Sequence, residues 1–74
     1  MTVETFSRDL RFGIVAVRKK FITVEQLVGA TTIQVREDVE GKPHRSIGAI
    51  LSDMGHMAPS QIDEVLRDMA IGRG

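Results

Sequence analysis

The chain has no cysteine. Disulfide staples and thiolate metal sites are therefore excluded, although small domains often depend on one or the other. It has no Trp, no Tyr and only three Phe, at Phe6, Phe12 and Phe21. A base-stacking platform built from several aromatics is not available to it. Charge of one sign is lacking too. Ten Lys and Arg stand against ten Asp and Glu, for a formal net charge of zero. Nucleic-acid binders usually carry a basic excess, so DNA is not an expected partner. The longest apolar run, Ile14 to Val17, is far short of a membrane span, so no membrane insertion is expected. Met1 to Asp9 carries acids and no apolar h-region, so a signal peptide is not expected and the cytoplasm is the expected location.

What remains is 74 residues with 42% hydrophobic content, which fits one small globular domain spanning 1–74. Turn signals divide it into apolar segments. Phe6, Leu10, Ile14 and Val17 have helical spacing within Glu4 to Lys20. Gly13 interrupts this stripe, so Phe6 to Leu10 is read as a separate turn and the main helix as starting near Arg11. Thr23 with Gln26 three residues on is a capping box, and Ile22 with Leu27 has the spacing of a hydrophobic staple. That second helix should run to about Val39, with Gly41 and Pro43 ending it. Ile47, Ile50, Leu51 and Met54 mark a third segment over about 45–54, which Gly55 is suited to cap. Pro59 suits a first helical position, and Ile62, Val65, Leu66 and Met69 follow as an apolar stripe. The tail, 71–74, should fray.

The halves are similar at an offset of 35 residues. Gly13 falls on Gly48 and Gln26 on Gln61, while Phe12, Val15, Ala16, Ile22 and Leu27 fall on Ile47, Ile50, Leu51, Met57 and Ile62. The expected fold is all-α, with four to five short helices arranged as two repeated helix-turn-helix hairpins, over about 11–41 and 45–70. One hairpin cannot bury its apolar face alone, whereas two can share a core.

The first half reads Arg11-Phe12-Gly13, Ala16-Val17, Phe21-Ile22-Thr23, Gln26-Leu27, Ala30 and Gln34. This resembles the motif of the MshEN domain, the N-terminal domain of type II secretion and type IV pilus assembly ATPases, which occurs in tandem copies. The resemblance covers about 11–69. The chain has no Gly-x-x-x-x-Gly-Lys-Ser/Thr loop of the ATPase module. Many domains of that family bind the bacterial second messenger cyclic di-GMP. The resemblance implies contacts from Arg11, Phe12, Gly13 and Gln34, and from Arg45, Ile47 and Gly48 in the second copy. Arg11 would meet a guanine, Phe12 would give apolar contact, Gly13 would admit a phosphate to backbone amides, and Gln34 would close the site. The sequence departs from the pattern at Ser46, where Arg is expected, at Met69, where Gln is expected, and at Lys20, where Gly is usual.

No other constellation carries chemistry. His44 and His56 lack partners at metal-ligand spacing. Glu37-Asp38 and Asp63-Glu64 are adjacent pairs that point to different helix faces. Arg18-Lys19-Lys20 suits a helix C-terminus. Glu25, Glu37 and Asp38 would repel phosphate from the second helix. Met54, Met57 and Met69 read as core filler. The expected function is therefore a non-enzymatic binding or adaptor module without a cofactor, meeting a protein partner or its own copy as a homodimer. A cyclic di-GMP receptor is the alternative.

Overall fold

A computed structural model describes the backbone of residues 3–72 and the side chains of that span apart from Val3, Thr5 and Phe6. The expected frayed tail lies partly outside the described residues, at Arg73 and Gly74, and the place of Phe6 in the first stripe lies wholly outside them. Four helices are present among the described residues: α1 (Val3–Arg18), α2 (Val24–Val39), α3 (Ile47–Asp53) and α4 (Pro59–Ala70). The all-α class follows directly.

Local signals set the helix starts. Thr23 Oγ1 accepts from the Gln26 amide at 3.1 Å, and Gln26 Oε1 accepts from the Thr23 amide at 2.9 Å, so both arms of the capping box form. Ser46 Oγ accepts from the Ala49 amide at 3.2 Å and caps α3. Ala58 has no side-chain acceptor, so only the Gln61 arm forms at α4, with Oε1 accepting from the Ala58 amide at 2.9 Å.

Lys20 and Gly55 occupy matching turns 35 residues apart, with φ of 65° and 78°. The amides of Lys20 and Phe21 bond back to Val17 and Ala16, and those of Gly55 and His56 bond back to Ser52 and Leu51. Both are Schellman C-caps. A non-glycine residue in the left-handed region costs about 1 kcal/mol. Lys20→Gly is accordingly expected to stabilise the domain by about 0.5–1 kcal/mol, less the entropy glycine adds to the unfolded chain, and to raise Tm by about 4 °C in a thermal melt. A lower Tm would mean that the exposed Lys20 side chain stabilises more than its backbone strain costs.

The helix α1 is continuous through Gly13, which corrects the expected separate turn at Phe6 to Leu10. The reason lies in α2. A methyl group at Gly13 would sit 2.3 Å from Leu27 Cδ1, so the bare backbone forms the seat for Leu27. That close approach offsets the roughly 1 kcal/mol that glycine costs inside a helix.

The main helix contacts run between the halves. The first helix packs on α3 and α4, and α2 packs on α3, while α1 and α2 touch more sparsely. Exchanging α1 with α3 and α2 with α4 converts the α1–α4 contact into the α3–α2 contact, so the halves interlock. Ile47, Ile50, Leu51, Val65, Ala16 and Ala30 fill the centre, with Phe12, Val15, Ile22 and Met57 around them. The buried line of α1 is Asp9, Phe12, Val15 and Ala16, while Leu10 and Ile14 of the sequence stripe face outward. Of the three methionines read as filler, Met57 is buried, Met69 half-buried and Met54 exposed.

Candidate functional site

The seven residues singled out from sequence do not share one surface. Arg11 is exposed and borders a groove with Arg8, Leu66 and Met69. Gly13 and Ile47 are buried, while Phe12 and Gly48, although little exposed, line the floor of a groove of about 560 Å³ with Ser46, Pro59 and Leu66. Phe12 and Gly48 do meet: a methyl group at Gly48 would lie 3.0 Å from Phe12 Cζ, so the glycine is where the ring rests.

Gln34 and Arg45 come together as parts of the scaffold. Gln34 is 1% exposed, and its Nε2 donates to Asp9 Oδ2 at 2.8 Å and to the Arg45 carbonyl at 3.0 Å. The Ile47 amide donates to Asp9 Oδ1 at 3.4 Å. One carboxylate on α1 thereby joins the middle of α2 to the start of α3, where the helix dipole favours negative charge. Arg45 forks onto Glu37 through Nε at 3.0 Å and Nη2 at 2.7 Å, and its Nη1 reaches Asp53 at 2.6 Å. The hydrogen bond from Arg45 holds Glu37 below the usual carboxylate range, and Glu37 in turn raises Arg45. His44 Nδ1 lies 3.1 Å from Asp38 Oδ1, and its Nε2 lies 3.6 Å from Asp9 Oδ2. Across the molecule, Lys19 is paired with Asp68 and with Glu64, which raises its pKa. These pairs join elements of the fold to one another.

Exposed large apolar side chains include Met54, Leu66 and Ile71, and more of them gather on α1 and α2. Leu10 and Ile14 of α1 are 44% and 38% exposed. Val24, Val28, Val35 and Val39 of α2 are 58%, 58%, 46% and 81% exposed. Leu10, Val28, Thr31, Val35 and Val39 border a single open groove of about 650 Å³ between α1 and α2. The basic residue on its border is Arg36. Such a groove can bury apolar side chains.

Comparison with protein-family models, with curated proteins and with solved structures finds no match to this chain. The geometry of the chain itself therefore carries the functional argument. The cap, staple and stop signals give α2 its bounds and do not say which of its sides is covered. A signal was present: Val24, Leu27, Val28, Ala30, Ile33, Val35 and Val39 are too many apolar residues for one buried face. Asp9 was also missed, since a lone acid within a helix reads as surface.

Proposed function

We propose that the chain is a non-enzymatic protein-contact domain and that the α1–α2 face is where contact is made. One observation carries this reading: the exposed aliphatic side chains Leu10, Val28, Val35 and Val39 border a common groove between two helices that also expose Ile14 and Val24. Scattered exposed aliphatics are ordinary, but a contiguous patch on a small domain marks an interaction surface. No helix among the described residues is long and apolar enough to cross a membrane. Protein contact is favoured over the cyclic di-GMP reading by Gln34 and Ile47, which are buried, and by the Gln34 amide, which is engaged with Asp9 and Arg45. A photoreactive residue in place of Val28 tests the proposal. It should give a covalent protein adduct on irradiation, while the same residue in place of the exposed Asp63 on α4 should not. No adduct from position 28 would overturn it.

A further inference from the structure

Building on the reading of the α1–α2 face as a contact surface, we infer that its occupant is a second copy of this chain, docked by an antiparallel, two-fold pairing of α2 with α2. The inference comes from the order of the exposed residues. Reversed about the point between Thr31 and Thr32, Val24 falls on Val39, Val28 on Val35 and Thr31 on Thr32. The exposed stripe of α2 is palindromic. A two-fold interface requires such self-complementarity, because residue i meets j while j meets i. A contact surface for an unrelated protein has no such requirement. The spacing of Val24, Val28, Thr31 and Val35 is four, three and four residues, which is the alternation of a helix-pairing seam.

Charge fixes the direction. Glu25 and Arg36 are both exposed and stand eleven residues apart, so they share one edge of α2 to within about 20°. In the antiparallel pair, Glu25 lies beside the partner's Arg36, offset by about 3 Å along the axis, and the contact occurs twice. A parallel two-fold pair would place the two copies of this edge on opposite sides of the seam, where Glu25 and Arg36 do not meet. The antiparallel arrangement also brings each helix N-terminus to a helix C-terminus, which the macrodipoles favour. Leu10 and Ile14 of α1 widen the covered area beyond a single helix. The small Thr31 and Thr32 at the centre let the two backbones approach.

The test uses the full chain in sedimentation equilibrium. Wild type is expected to be a dimer in reversible equilibrium with monomer. Val28→Glu, at a position already exposed in the monomer, should keep the helical circular dichroism of the fold and weaken association about 100-fold, since each new carboxylate would be buried against the partner's Val35. Glu25→Arg and Arg36→Glu should each weaken it several-fold, and the two together should restore it. The absence of cysteine makes the geometry directly testable. Thr32→Cys should form a disulfide-linked dimer, because the two-fold axis passes beside it. Val24→Cys should not, because its two copies lie about 22 Å apart along the pair. A monomer throughout the soluble range overturns the inference, as does self-linkage through Val24→Cys or failure of the charge exchange to restore pairing. A monomer whose position 28 still crosslinks to a different protein overturns the second copy and leaves the contact surface standing.

Discussion

Leu51→Ala is expected to remove a large share of the stability of the domain. Leu51 is fully buried and belongs to the central cluster on α3, the helix against which both α1 and α2 pack. Truncating a buried leucine costs about 2–5 kcal/mol, as lost transfer energy plus a cavity that the surroundings fill only in part. A chain of 74 residues has about 4–11 kcal/mol in all, at roughly 0.05–0.15 kcal/mol per residue. Tm should fall by about 15–30 °C in a thermal melt followed by circular dichroism. Leu66→Ala, at a position that is 49% exposed, should cost less than about 1 kcal/mol. Equal effects at the two sites would mean that α3 is not the centre of the core.

Gln34→Leu should come next in size. The substitution preserves most of the volume but removes both hydrogen bonds from Gln34 Nε2, to Asp9 Oδ2 and to the Arg45 carbonyl. The Asp9 side chain, 11% exposed, would keep only the Ile47 amide at 3.4 Å and His44 at 3.6 Å. A buried carboxylate deprived of a donor costs about 2–4 kcal/mol. Pairing the change with Asp9→Leu should recover part of the loss, because two apolar groups leave no stranded acceptor on Asp9. Urea unfolding of the two single variants and the double variant should give a coupling of about 1 kcal/mol or more. A Gln34 held in place to receive a ligand would behave otherwise: Gln34→Leu would leave stability unchanged and alter cyclic di-GMP binding. Additive losses at Asp9 and Gln34 would contradict the scaffold role.

The contrast between these two residues shows what was legible in the sequence. The starts of α2 and α4 were legible, because the causes are local. Thr23 with Gln26, Gly41 with Pro43, and Pro59 each act within one turn of chain, and α2 and α4 begin where those signals stand. The turns at Lys20 and Gly55, which stand 35 residues apart, share the same backbone bonds. The choice between two apolar faces was not legible. Periodicity shows that Leu10 and Ile14 lie on one side of α1 and Phe12, Val15 and Ala16 on another, but the packing partners decide which side is buried. The partner of Gln34 stands 25 residues away, and no spacing rule connects an amide on α2 to an acid on α1. Continuity of α1 through Gly13 likewise depends on Leu27, which reaches it only after the turn at Lys20 is made.

The interlocked arrangement also explains why the α1–α2 face stays open. Both helices spend one face on α3, with α1 meeting α4 as well, and they touch each other sparsely. Their outer sides therefore carry Leu10, Ile14, Val28 and Val35 into solvent, and no described residue covers them. The most direct measurement is photocrosslinking of the full chain from four positions in turn, Val28 and Val35 on the groove and Asp63 and Arg67 on the exposed side of α4. Covalent protein adducts are expected from the first two positions and not from the others, with the adduct from position 28 having twice the mass of the chain. Equal yields from both faces, or adducts from α4 alone, would contradict the assignment of the α1–α2 face as the contact surface.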